Sequence, residues 1–272
     1  MLSLEDNFDD ILGKALRGMN MTPEQLSSLS GVSPEQIKAL LDGQPDDAAL
    51  RKVAPALGLH GETLVERAGN KWHPEQLEIE GLRQITTPFE DFSVNSYLIW
   101  DPHTMESALF DTGTSGEEAH SLYQALGLKV TDLYFTHTHI DHIMAIEEIE
   151  KWATPKMHSC ALEPVDGSQT FQPGDQFKLG RLSISTRLTR GHSPAGITYF
   201  IEGLEQPVAI VGDAIFCQSM GGGVVSYQDA LDTNRSEILT LPDETIICPG
   251  HGPMSTVGQE KAHNPFFPEF KS

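Results

Sequence analysis

Apolar residues follow two different rhythms along this chain. In the first 72 residues they recur at three- and four-residue intervals. Leu26, Leu29, Val32, Ile37, Leu40 and Leu41 lie at helical spacing and predict a small core. Thr22-Pro23-Glu24-Gln25 and Ser33-Pro34-Glu35-Gln36 each join an N-cap hydroxyl, a proline at the first helical position and a capping-box glutamine, so each predicts a helix start. Gly31 fits the turn between them, and further helices are expected at about 47–57 and 61–68. The stretch Gly69-Asn70-Lys71-Trp72-His73-Pro74 reads as a boundary, with Trp72 tucked against one side of it. Beyond it come short strand-like runs at 130–135, 182–188, 208–211 and 245–248, which predict strands. Helices are expected between them at about 117–126, 141–152 and 227–239. The pattern gives an all-helical domain at 1–72 and an α/β domain at 73–272.

The chemistry gathers where strands end. Thr136-His137-Thr138-His139-Ile140-Asp141-His142 follows the run at 130–135 directly. Alternation in an extended chain points His137 and His139 to one side, while Asp141 and His142 turn into the next helix. Neutral imidazoles with a carboxylate suit a borderline divalent cation. Four such groups in one tight turn repel or compete unless something holds them. His192, Asp213 and His251 each stand just past another predicted strand, in turns rich in glycine where backbone can come close to a bound group. Asp111, before Thr112-Gly113, is either a carboxylate that orients a ligand histidine or a turn former.

This set resembles the metallo-β-lactamase superfamily, matching its HxHxDH run and its later His, Asp and His in order. The resemblance spans about 82–270, including Asn95-Ser96-Tyr97-Leu98-Ile99 and Leu109-Phe110-Asp111-Thr112-Gly113 as opening strands. It implies an αββα sandwich behind the small helical domain. It implies two divalent metals, zinc first with iron or manganese as substitutes. His137, His139 and His192 would hold one, Asp141, His142 and His251 the other, and Asp213 would bridge them. An aspartate in that bridging position is similar to glyoxalase II and related hydrolases. The implied reaction is attack on a thioester or other small acyl ester by metal-activated hydroxide, with Asp141 and Asp213 orienting it. Two alternatives are a mononuclear-iron persulfide dioxygenase and a metal-bearing sensor acting through the helical domain.

The chain departs from glyoxalase II in its substrate region. The loop Phe216-Cys217-Gln218-Ser219-Met220-Gly221-Gly222-Gly223 carries no cation, and no glutathione-binding extension follows Asn264-Pro265-Phe266-Phe267-Pro268. The ending is similar to the short glyoxalase-II-like hydrolases. Arg190 is the one cation beside the metal run and the candidate for meeting a substrate carboxylate.

Residues 26–41 resemble the helix-turn-helix of phage-repressor-type domains. The presumed recognition helix exposes Glu35, Gln36 and only Lys38 as a cation, with Asp42, Asp46 and Asp47 close by. Groove readers carry Lys or Arg for phosphates. The expected role is therefore protein contact or homodimerisation, not DNA reading. A net charge of −21 over 272 residues argues the same way against polyanionic partners. No apolar stretch of ~18 residues suggests a membrane span. The acidic start at 4–10 is unlike a signal peptide, so a cytoplasmic protein is expected. The three cysteines, Cys160, Cys217 and Cys248, have no CxxC spacing and read as small buried hydrophobes, with Cys217 also a candidate for lining the site.

Overall fold

A computed structural model describes residues 3–271 of the chain. Five helices come first: α1 (Phe8–Gly18), α2 (Pro23–Ser30), α3 (Pro34–Leu41), α4 (Asp47–Val53, continuing as a 3₁₀ turn at Ala54–Leu57) and α5 (Gly61–Ala68). α2 and α3 begin at the expected caps, where Thr22 and Ser33 hydroxyls accept from the backbone N–H of Gln25 and Gln36. Gly31 turns the chain between them at φ +69°. α1 lies outside the helices that the sequence pattern predicts. Its signals sit within an acidic run: Asp10 accepts from the Asn7 N–H at 2.9 Å, and Phe8, Ile11, Leu12, Ala15 and Leu16 form its buried face. Leu29 departs from the expected core. It is 67% exposed and faces a shallow groove beside Met19, because two turns of helix offer room for little more than Leu26 against the bundle.

Two six-stranded sheets follow. The first comprises β1 (Leu82–Phe89), β2 (Phe92–Trp100), β3 (Glu106–Phe110), then after α6 (Glu117–Leu126) β4 (Lys129–Tyr134), then after α7 (Ile140–Ile143) and α8 (Ile146–Ile149) β5 (Lys156–Cys160) and β6 (Gln169–Phe171). They lie side by side in chain order. The second comprises β7 (Gln176–Leu179), β8 (Leu182–Leu188), β9 (Ile197–Glu202) and β10 (Val208–Gly212), then β13 (Ile246–Pro249) and β14 (Ser255–Thr256). A small hairpin, β11 (Ile215–Phe216) with β12 (Ser219–Met220), and helix α9 (Tyr227–Thr233) lie between β10 and β13. Helix α10 (Val257–His263) comes last.

The expected single helix at 141–152 is two short ones. The His142 carbonyl accepts from the Thr112 N–H at 2.8 Å, and the Ala145 N–H donates to the Thr112 hydroxyl at 3.0 Å. Those contacts replace helical bonds and break the helix.

Alternation along the strands builds three apolar layers. Tyr97, Ile99, Phe110, Val208 and Ile210 point between the sheets. Leu98, Trp100 and Leu109 face outward and pack with Ala119 and Ile149 of the helices over the first sheet. Ala209, Val211 and Ile247 face outward from the second sheet and join one cluster with Ile11, Leu50 and Leu64 of the N-terminal helices. The whole is an αββα sandwich preceded by helices that extend its outer layer. Polar ties follow the same surface. Arg67 donates to the Asp6 carbonyl at 2.8 Å, the Ser219 hydroxyl donates to the Asp6 carboxylate, and Lys14 donates to the Met220 carbonyl. Trp72 stacks on His263 with ring centroids 4.0 Å apart. No helix among the described residues is long and apolar enough to cross a membrane.

Candidate metal centre

Parallel pairing sets the site. β3 runs parallel to β4 and β10 parallel to β13, so their C-terminal ends share one edge of the sandwich. Asp111 follows β3, the run from Thr136 to His142 follows β4, Asp213 follows β10 and His251 follows β13. His192 comes from the turn after β8. The structure therefore gathers all seven residues that the sequence singles out. They form two groups, His137, His139, His192 and Asp213 in one, Asp141, His142 and His251 in the other, with ligand atoms within 4.8 Å of one another in each.

Four of the five imidazoles are aimed by their second nitrogen. His142 Nδ1 lies 2.8 Å from Asp111 Oδ2, His251 Nδ1 2.7 Å from the Ser93 carbonyl, and His192 Nδ1 3.0 Å from the Gly222 carbonyl. The Thr136 hydroxyl donates to Asp111 Oδ2 at 2.7 Å and stands 3.0 Å from His137 Nδ1. With Nδ1 engaged, Nε2 of these four rings is free to turn into the cluster. His139 instead turns Nδ1 inward, 3.0 Å from Nε2 of both His137 and His192. Three imidazole nitrogens that close suit lone pairs converging on one cation. Asp111 thus orients His142, from a left-handed backbone (φ +58°).

The donor set fits a metal on its own chemistry. His142 Nε2 and Asp213 Oδ1 are buried and have no hydrogen-bond partner among the described residues. Buried polar atoms are rarely left so. At Gly250 an added Cβ would stand 2.1 Å from Asp213 Oδ1 and 2.8 Å from His142 Cε1, so backbone closes on the cluster where no side chain fits. Burial pushes the Asp213 carboxyl up, yet His251 and His142 outweigh it and hold it well below the usual range. Burial depresses His251, but the Asp213 carboxylate beside it raises it to about 9. His142 is also raised, by Asp213 and Asp111 against its burial, whereas burial and His142 drive His137 well down. The carboxylates thus collect positive charge on neighbouring rings, the role a cation would take over with release of those protons.

The remaining candidates lie outside the cluster. The half-exposed Arg190 pairs with Asp229 at 3.2 Å. Cys217 is buried and faces Glu260 and Arg67, while Cys160 and Cys248 are buried too. Supporting residues carried little sequence signal. Asn95 holds the turn bearing His251, donating to the Pro249 and Gly252 carbonyls at 3.0 and 2.8 Å. The Glu163 carboxylate accepts from Thr138, between His137 and His139, and from the Ala195 N–H at 3.1 Å, tying the turn after β4 to that after β8. Only a carboxylate in a loop marks Glu163 in the sequence, which says nothing of its partners.

Residues 90–251 match the family model of the metallo-beta-lactamase superfamily. The hydroxyacylglutathione hydrolase GloC of Haemophilus influenzae is 30% identical over 204 residues, 66% of this chain and 95% of that one. The mitochondrial persulfide dioxygenase ETHE1 of Homo sapiens is 29% identical over 199 residues, 68% of this chain and 74% of that one. Among solved structures, the BLEG-1 B3 metallo-beta-lactamase superposes with a TM-score of 0.58 at 27% identity, covering 68% of this chain and 99% of that one. All three similarities leave about a third of this chain uncovered. With the fold and the match across 90–251 in agreement, the chain belongs to the metallo-beta-lactamase superfamily.

Proposed function

We propose that the chain is a dinuclear metal-dependent hydrolase that cleaves a small acyl thioester or ester. The observation that supports this most is the placement of Asp213, whose Oδ2 lies 3.2 Å from His192 Nε2 and 3.3 Å from His251 Nε2 and so reaches both donor groups. His137, His139 and His192 would hold one ion, Asp141, His142 and His251 the second, and Asp213 would bridge. Divalent ions held this way supply Lewis-acid polarisation and lower the pKa of water at the site. Zinc suits the ligands, as do iron and manganese. Asp141 and Asp213 are the carboxylates that would orient the attacking water. A C–O bond forms at the substrate carbonyl carbon, the C–S or C–O bond to the leaving group breaks, and the leaving thiolate or alkoxide takes up a proton. No serine or cysteine nucleophile is needed, and Cys217 faces away.

We assign residues 1–72 to a helix-turn-helix-like module for protein contact, and 73–272 to the hydrolase. On α3, Glu35 and Gln36 are exposed and Lys38 pairs with Asp42, which leaves no free cation there for phosphate. The test is elemental analysis of purified protein with a thioester and ester panel. Two ions per chain with acyl-thioester turnover is the expected result. One iron per chain, with sulfite formed from a persulfide, would put the dioxygenase reading in its place.

A further inference from the structure

Nine large apolar side chains are exposed among the described residues, and six of them stand on segments that carry or touch the metal cluster. Isolated exposed apolar residues are ordinary, but a concentration around one mouth is not. Phe92, 40% exposed, meets the His251 ring edge-on at 5.3 Å. Ile140 sits between His139 and Asp141, and Met144 lies one turn further along the same chain segment. Leu162 precedes Glu163, which binds Thr138. Val224 and Val225 are 74% and 56% exposed. The Val225 N–H donates to the carbonyl of Gly191, and that of Val224 to Gly222, whose carbonyl meets His192. Four segments that carry or touch the cluster thus each bear exposed apolar side chains.

Uncommitted charge around the same cluster has one sign, since Lys14, 5.1 Å from the Phe216 ring centre, is held by the Asp6 carboxylate and the Met220 carbonyl. Residues 89–95, 137–145, 213–225 and 249–254 contain no lysine or arginine, while Glu90 and Asp91 lie beside Phe92. Arg190 is engaged by Asp229. An anionic substrate would find beside these segments only cations already paired with carboxylates. An uncharged hydrocarbon group would cover surface that is otherwise wet.

We infer that the site takes an acyl substrate whose acyl group is an uncharged apolar chain, laid across Phe92, Ile140 and Val224–Val225. This rests on the hydrolase reading of the same centre, and it names the substrate class within it. Apolar burial of one methylene corresponds to about a fourfold effect when complete, so about twofold is expected at a half-open rim.

The test uses the metal-loaded full chain and uncharged N-acetylcysteamine thioesters from acetyl to octanoyl. A parallel series measures the Kd of the straight-chain carboxylate products by calorimetry. The expected result is kcat/KM rising about twofold per methylene, on the order of fiftyfold in all, with Kd falling in step. Phe92→Ser with Val225→Ser should compress both trends to under tenfold; both positions are exposed, so folding is little affected. Turnover that is flat with chain length, or trends that survive in the double variant, would overturn the assignment while leaving the hydrolase standing. Chain-length-dependent Kd without turnover of any thioester would uphold the apolar site and remove the hydrolase reading. If a second copy of the chain covers these side chains instead, the protein will be a dimer that dissociates in the double variant, and the substrate assignment falls.

Discussion

Single residues in this centre divide the labour of binding and aiming, and substitutions should separate the two. Asp213→Ala removes the one group that reaches both donor sets, so metal content should fall from two towards zero per chain. His251→Ala should empty mainly the second site and leave about one. Elemental analysis after dialysis reads both, and a wild-type protein saturating at one ion would refute the shared-aspartate arrangement. Asp111→Asn keeps the shape but weakens the hold on His142 Nδ1. Metal affinity should drop ~10–100-fold in a chelator competition, without loss of the folded state. The seven residues of the two donor groups were legible in the sequence because imidazoles and carboxylates recur just past four strand-like runs, in one order. Asn95 and Glu163 were not. Each acts through contacts to backbone 154 and 32 positions away in sequence, and no local pattern encodes such a partner. Asp111 stood in between, visible as a strand-end carboxylate but ambiguous until His142 was found beside it.

Among the elements, strands were read well because alternation and breaker residues mark them, as at β8 and β10. Helices were read less well where tertiary contacts outbid the local pattern. The break between α7 and α8 comes from Thr112, thirty residues upstream of His142. α10 carries a further consequence of burial. Glu260 is fully buried, accepts from the Gln218 N–H and from Asn264, and burial pushes its carboxyl up to about 7. Its folded pKa lies above the unfolded value of 4.5, so the native chain binds more protons than the unfolded one between those values. The stability this protonation gives is complete below about pH 4.5 and is lost as pH rises through 7. Glu260→Gln should therefore change little at pH 5 and stabilise the protein by about 2–3 kcal/mol at pH 8.5, measured by urea unfolding at each pH. The N-terminal helices are a second case. Their apolar residues join the outer cluster of the second sheet, so cutting at about Asn70 should expose that layer. A lower Tm and raised binding of a hydrophobic dye are expected, with kcat on a small thioester within a few-fold in whatever fraction stays folded, since all seven residues of the donor groups lie beyond residue 130. Activity lost from a folded, metal-loaded truncated chain would show that the helices shape the site.

At the scale of the molecule, a net charge of −21 sets a field that opposes anionic substrates. S-lactoylglutathione and a neutral thioester should differ in kcat/KM by less than about a hundredfold, ~2.7 kcal/mol of transition-state stabilisation. Added salt should raise the rate for the glutathione compound and leave the neutral one nearly unchanged. A preference of several thousandfold for glutathione, lost in Arg190→Ala, would mean that one arginine overrides the field.

The seven residues of the two donor groups are also divided between the sheets. Four follow β4 in the first sheet; three follow β8, β10 and β13 in the second. Ions held among them would clasp two layers whose contacts are otherwise apolar, at an edge where the sandwich can begin to part. Opening it would then require breaking coordination before core packing is lost, so the bound ions would set the lifetime of the native state as well as its equilibrium stability. Chelation should speed unfolding in denaturant much more than it slows refolding, because donor residues spread from residue 137 to residue 251 can converge only after both sheets have formed.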